Sequence, residues 1–377
     1  LFYSGSYQAL LVEESTIGDK VMTCKRCGVV PSISQAPGEA LFNCAVDPLH
    51  DKLISILTAE GYSPRSEGDV VKLAVDSFQN LVSCLSRRSD IADVEADGLH
   101  LLFLEQGQKL DFAAFSRTKT LKKWFFLLNN RDFIDVFENN SLTTYFQPIV
   151  ALPNVEIVAY ECLSRGVKPD GNLMPPNLLF KLAVENDLLF FLDRLCRENA
   201  LKSAAVKKIT ADIFINFVPT AIYVPETCLQ STMHWAKQLE YDPRRIVFEV
   251  VETHQVEDLQ HLRTILDFYR GKGFRTALDD IGSGHTNLVT LAALGADVIK
   301  VDMEIIRGID KDPVKQSIFG AMSQIAHENG IKVLAEGVET REEFFYVKQQ
   351  GADLAQGYLF AKPTAEPVRR VECCTVL

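Results

Sequence analysis

No stretch of this chain reaches about 18 consecutive uncharged apolar residues, the length a membrane-crossing helix needs, so no transmembrane span is expected. Leu1 to Lys20 mix polar and apolar types, with neither a basic start nor a long apolar run, and do not read as a secretory signal. Positive charge is in deficit. Against 50 Asp and Glu stand 39 Lys and Arg, and the net charge of −11 leaves no basic surplus for coating nucleic acid. A small anionic ligand held through metal ions stays compatible with it. The 9 cysteines are odd in number and scattered. They give no disulfide framework and fit a reducing compartment, so the cytoplasm is the expected location.

The chain does have the material for large cores. Its 377 residues are 47% hydrophobic and 24% charged, which points to two or three globular domains. Residues 1–115 read as a small N-terminal α/β domain, with a strand around 7–12 and helical apolar spacing over 48–58 and 69–85. A short apolar run follows at 101–104. Cys24-Lys25-Arg26-Cys27-Gly28 is a knuckle-like turn that points two thiolates at one metal, and Cys44 with His50 would complete a structural Zn²⁺ site. The plainer alternative is two reduced thiols in a turn, with Cys44 and His50 unrelated. No catalytic set appears in this part, and a docking or regulatory role is expected of it. Residues 116–140 read as a connecting helix, with Trp124, Phe125, Leu127, Leu128, Phe133, Val136 and Phe137 on one face across 121–137.

From 141 to 370 the pattern changes to strands alternating with helices, and 371–377 form a tail. Strands are expected at 144–151, 157–163, 212–217, 245–251, 275–278, 298–301, 332–335 and 355–360. Helices are expected at 178–202, 227–240, 256–272, 314–329 and 341–350. This alternation fits a (β/α)₈ TIM-like barrel, with a doubly wound open sheet as the alternative. No Gly-x-Gly-x-x-Gly follows the first strand, which weakens a dinucleotide-binding sheet.

In a barrel the chemistry sits where the strands end. Reading those ends gives Glu161, Asn216, Glu249, Asp279 with Asp280, Lys300, Glu336 and Gln356. Singly, each has an ordinary explanation: Glu161 as a helix-entry charge, Asn216 as a turn cap. Glu249 inside Val247-Phe248-Glu249-Val250-Val251 is harder to dismiss, because a carboxylate flanked by core residues is costly unless paired or metal-bound. Asp279 and Asp280 repel each other unless a cation sits between them, and the glycine-rich turn that follows suits a hard divalent ion. Lys300 and Asp302 are two apart and share a strand face, whereas Glu249 and Glu252 do not.

In these residues the chain resembles the EAL-domain family, the cyclic di-GMP phosphodiesterases. Its signature tripeptide stands here as Glu161-Cys162-Leu163, and its opening strand as Tyr145-Phe146-Gln147-Pro148-Ile149-Val150. Ile215-Asn216-Phe217-Val218-Pro219, Phe248-Glu249-Val250-Val251-Glu252 and Leu278-Asp279-Asp280-Ile281-Gly282-Ser283-Gly284 follow in order. Ile299-Lys300-Val301-Asp302, Ala335-Glu336-Gly337-Val338-Glu339-Thr340 and Ala355-Gln356-Gly357-Tyr358-Leu359-Phe360 complete the set.

The resemblance implies metal-dependent hydrolysis of cyclic di-GMP to linear pGpG, with two Mg²⁺ or Mn²⁺ per site. It implies Glu161, Asn216, Glu249 and Asp279 as ligands of one metal, and Asp279, Asp280 and Glu336 around the second. Lys300, Glu336 and Glu252 are the implied catalytic groups: Lys300 orients the attacking water, and Glu252 holds the loop from Asp279 to Gly284. Gln147, Leu163, Arg165, Asp302 and Gln356 are the implied substrate contacts, and the assembly a homodimer through the barrel. Charge agrees, since five carboxylates are balanced by two divalent cations and Lys300. Cys162, Ile281, Ser283 and His285 depart from the common pattern without removing a ligand. A catalytically silent cyclic di-GMP receptor is the alternative.

Overall fold

The computed structural model describes residues 32–44, 46–115, 117–152, 154–222, 224–250, 259–281 and 294–371. The first described strands are β1 (Gly38–Asn43), β2 (Arg65–Glu67), β3 (Val70–Val75), β4 (His100–Glu105) and β5 (Lys119–Thr120). They form one sheet in the order β2-β3-β1-β4-β5, with every pairing antiparallel. The chain order is that of a split βαβ unit.

Helix Asp47–Ala59 follows β1 and buries Leu53, Ile56 and Leu57, the spacing of one helical face. Residues 69–85 are not the single helix expected. They divide into β3 and helix Phe78–Ser86, whose N-cap Ser77 accepts from Asn80 N. In β3 Val71, Leu73 and Val75 are buried alternately, so period two wins where β-branched residues cluster.

Residues 121–137 also divide, into helices Leu121–Asn129 and Arg131–Glu138, and Asn130 at the break donates to the Phe126 carbonyl. The expected helix over 178–202 becomes Pro176–Glu185 and Leu189–Val206, with Asp187 in the left-handed region between them.

The core of this sheet is aromatic. Phe78 stacks on Phe103 with centroids 4.4 Å apart and meets Trp124 edge-on at 4.9 Å. Phe133, Val136 and Phe137 join the same core, as do Met174, Leu179, Leu188 and Phe191. The segment read as a connecting helix is therefore core material. The compact unit comprises the described residues up to Tyr145 together with Ser164–Cys196.

The second unit is a barrel. It takes β6 (Leu142–Ala151) from Phe146 onward and β7 (Glu156–Val167) as far as Leu163, with β9 (Asp212–Phe217), β10 (Ile246–Val250), β11 (Arg275–Ile281), β12 (Val298–Val301), β13 (Lys332–Ala335) and β14 (Leu354–Ala355). The two-residue β8 (Leu173–Met174) pairs only with the end of β7, within the Ser164–Cys196 segment of the first unit. The order runs β6-β14-β13-β12-β11-β10-β9-β7, and the pairing of β6 with β7 closes it.

Strand β6 runs against the rest, pairing antiparallel with β14 (Ala355↔Val150). The cause is the short link over 152–155, which has room for a hairpin but not for a crossover helix.

Alternation along each strand sorts two layers. One is an inner layer of Ile149, Ala159, Phe214, Val247, Ala277, Val298, Leu334 and Leu354, one residue from each strand. The other faces the helices, where Phe248 stacks on Tyr269 at 4.0 Å.

Aspartates fasten the opposite end of the barrel from the site. Asp297 accepts from Thr276 N at 2.8 Å and from Thr276 Oγ1 at 3.1 Å, and Asp353 accepts from Val333 N at 2.8 Å. Asp297→Ala orphans two donors at a strand start and is expected to lower stability by about 1–3 kcal/mol. Urea denaturation checks this, and a midpoint equal to that of the wild type would refute the clamp.

Candidate active site

Two residues beyond the inner layer, each parallel strand presents a polar group at its carboxyl end. Ala159 leads to Glu161, Phe214 to Asn216, Val247 to Glu249 and Ala277 to Asp279. Val298 leads to Lys300, Leu334 to Glu336 and Leu354 to Gln356. Because β6 is reversed, its matching residue lies two before Ile149, at buried Gln147. A step of two keeps the strand face, so one apolar layer carries the entire polar set above it.

The carboxylates close on Lys300. Its Nζ lies 2.8 Å from Glu336 Oε1, 2.9 Å from Asp279 Oδ1, 3.0 Å from Glu249 Oε1 and 3.8 Å from Glu161 Oε1. Glu161 is held from both sides, accepting from Asn216 Nδ2 at 3.1 Å and from Gln356 Nε2 at 2.6 Å. Gln356 thus reaches a carboxylate that the sequence reading assigned to metal.

Glycines shape this rim. Gly337 follows Glu336 with φ +67°, and a Cβ there would lie 2.3 Å from Met303 Cβ. At Gly357 a Cβ would lie 2.0 Å from the Val338 carbonyl oxygen.

Lys300 is 1% exposed and Glu249 0%. Burial drives the Glu249 and Glu336 carboxyls well above the usual carboxylate range, and Lys300 offsets only part of it. Burial also opposes the charge on Lys300, but Asp279, Glu161, Glu249 and Glu336 outweigh it and keep the ammonium well above its ordinary range. The Cys162 thiol is pushed well up by burial, so it stays neutral and packs in the outer core.

Cation chemistry can be judged from the donors. Four carboxyl groups face one ammonium, and if all were ionised three negative charges would be in excess. Both Glu249 oxygens are buried without a hydrogen-bond partner; the 3.0 Å approach of Lys300 is an ion contact whose angles do not make a hydrogen bond. Hard oxygens with unmet negative charge suit Mg²⁺ or Mn²⁺. Among the described residues, no three His, Cys, Asp or Glu side chains stand grouped as a ready metal site. The donor chemistry fits divalent ions, while the geometry is closed on the lysine.

The remaining sequence candidates fall elsewhere. The Asp302 carboxylate caps helix Met303–Ile306, accepting from Glu304 N at 2.6 Å. Leu163 is half-buried, two residues beyond Glu161. Arg165 belongs to the sheet unit, where it donates to the Ser164 carbonyl at 2.8 Å and lies over the Tyr145 ring at 5.5 Å. Glu252, the Asp280 side chain, the strand expected at 7–12, and the pair Cys24 and Cys27 lie outside the described residues. Cys44 is buried in the sheet core with its thiol toward the Val46 carbonyl, and the His50 ring meets Asp51 and Ser66. The sequence reading passed over Glu343, although Thr340-x-x-Glu343 is a capping-box pattern.

A family model for the EAL domain matches residues 130–363. The chain belongs to the EAL domain family. Among curated relatives of the EAL domain, the signaling protein YkoW of Bacillus subtilis (strain 168) is 25% identical over 280 residues, covering 71% of this chain and 35% of YkoW. The cyclic di-GMP phosphodiesterase PdeR of Escherichia coli (strain K12) is 26% identical over 262 residues, covering 69% of this chain and 39% of PdeR. The chain thus spans little more than a third of either relative. A standalone versatile EAL protein from Vibrio cholerae O395, solved in its c-di-GMP bound form, superposes with a TM-score of 0.56 at 39% identity. It covers 61% of this chain and 95% of its own. The EAL domain seen here is an α/β protein built on a closed barrel, and among the described residues no helix is long and apolar enough to cross a membrane.

Proposed function

We propose that this EAL domain hydrolyses cyclic di-GMP to linear pGpG. The observation that carries the reading is the ring of four carboxylates around one buried lysine at the carboxyl ends of the barrel strands. The phosphodiesterase relative and the c-di-GMP bound neighbour support the choice of ligand.

On this reading Glu161, Asn216, Glu249 and Asp279 hold one divalent cation, and Asp279, Asp280 and Glu336 a second. Two Mg²⁺ or Mn²⁺ ions, if bound there, would supply charge stabilisation for the attacking and leaving oxygens. Water adds to phosphorus as the bond to the 3′ oxygen breaks, and that oxygen takes a proton from solvent, leaving a 5′ phosphate and a 3′ hydroxyl. Lys300, kept protonated by its neighbours, donates to the attacking water and turns the lone pair outward. The proton that water gives up is assigned to Glu336, whose Oε1 lies 2.8 Å from Lys300 Nζ. Asn216 and Gln356 hold Glu161 in place through the two bonds described above. Gln147, Leu163, Arg165 and Gln356 are assigned to the substrate, Glu252 to the loop beyond Asp279, and Asp302 to the segment that it caps.

Chromatography of cyclic di-GMP incubated with the protein tests this directly, with Mg²⁺ or Mn²⁺ and with chelator in parallel. Metal-dependent appearance of pGpG is the expected result. Tight binding without product would make the protein a receptor, and neither binding nor product would remove cyclic di-GMP as its ligand.

A further inference from the structure

Glu343 is only 3% exposed, in the first turn of helix Arg341–Gln349. A buried carboxylate is costly unless its lone pairs are met. Here Oε2 accepts from Glu339 N and Thr340 N, each at 3.0 Å, and Oε1 accepts from Gly308 N at 2.8 Å. Burial pushes the carboxyl up, yet these backbone donors hold it below its usual range. The bonds to Glu339 and Thr340, with Thr340 Oγ1 accepting from Glu343 N, are enough to start the helix. The bond to Gly308 is not part of the cap. It reaches a loop 35 residues away in sequence.

That loop follows Lys300. Asp302 caps the short helix Met303–Ile306, and Gly308 comes directly after it. From the other side, Glu336 leads through Gly337, pressed against Met303, to Glu339 and Thr340. The Arg307–Glu339 ion pair at 2.7 Å joins the same two segments at the surface, where such pairs add little. The buried tie is Glu343. It closes a ring whose two ends are Lys300 Nζ and Glu336 Oε1, 2.8 Å apart.

We propose that Glu343 is a positioning residue that fixes Glu336 against Lys300 by bridging the segments that follow them. Its effect on turnover rests on the phosphodiesterase reading above; its effect on geometry does not. Glu343→Ala removes the bridge. Glu343→Gln keeps the volume and one accepting oxygen but turns an amide NH₂ toward backbone donors.

Steady-state kinetics of the full chain on cyclic di-GMP, and crystal structures of the wild type and of Glu343→Gln, decide the matter. A displacement of about 1 Å at reacting groups costs on the order of a hundredfold, so kcat of Glu343→Ala is expected to fall by about that factor, with Glu343→Gln between it and the wild type. KM is expected to stay within about threefold, the signature of an interaction made in the transition state. In the Glu343→Gln structure the Lys300–Glu336 separation is expected to widen beyond hydrogen-bond reach.

An unchanged separation would overturn the proposal whatever the rates. So would a loss of activity that only follows the loss of folded protein, with kcat per folded molecule unchanged. If Glu343→Ala does not fold, Glu343→Gln carries both measurements. If the wild type fails to hydrolyse cyclic di-GMP, the phosphodiesterase reading fails, and the two crystal structures still judge the bridge.

Discussion

Lys300→Met is expected to lower turnover of cyclic di-GMP by about a thousandfold or more, within the range of a positioned proton donor together with fixed electrostatics. Methionine is unbranched and one heavy atom shorter than lysine, so it fills most of the buried slot and packing changes little. What is lost is the ammonium that lies against Glu161, Glu249, Asp279 and Glu336. Leaving buried charge uncompensated costs about 3–5 kcal/mol, so the variant is also expected to unfold at lower urea in the presence of chelator. Single-turnover rates in Mg²⁺ separate the two effects, because saturating metal restores the charge balance but not the donor to water. Turnover within about tenfold of the wild type would mean that Lys300 serves stability alone.

Chelation is expected to abolish turnover and to lower the melting temperature. Mg²⁺ or Mn²⁺ should restore both. Fully ionised, the four carboxylates would carry three charges more than Lys300 can balance, and without metal the buried Glu249 and Glu336 are instead pushed toward protonation. A ligand that binds only the folded state at about a hundredfold over its Kd stabilises it by about 2.7 kcal/mol, or roughly 5–10 °C for a domain of this size. Differential scanning calorimetry with and without metal measures the shift. Asp279→Asn, which removes a charge from both proposed ion positions, should lose most of it. Chelator-resistant turnover would sink the metal reading, and a shift that survives in Asp279→Asn would place the ions elsewhere.

The barrel and its polar rim were legible because both follow from alternation. An apolar strand that ends in a carboxylate has few uses outside a site, and several such strands in order left little freedom. The N-terminal sheet was less legible. The apolar residues at 70, 71, 73 and 74 satisfy helical spacing while those at 71, 73 and 75 satisfy strand spacing, and Ser77, a strong N-cap, marked the break between β3 and its helix. The reversed direction of β6 was hidden for a different reason, since side-chain alternation looks the same in either direction. The brief link before β7 was its single cue. Glu343 escaped notice because a glutamate on an amphipathic helix looks solvated, and its partner at Gly308 is distant in sequence.

The two-residue step between the inner layer and the rim has an evolutionary consequence. Deleting or inserting one residue within β10 would exchange Glu249 for a neighbour that faces the helices, and the carboxylate would then lie in hydrocarbon. The same holds for every strand that supplies the rim. Loops at either end can lengthen, and whole segments can be grafted into them, without disturbing which groups meet. Sequence length among relatives should therefore vary between strands and stay fixed from each inner-layer residue to its polar partner, as from Val247 to Glu249 or from Val298 to Lys300.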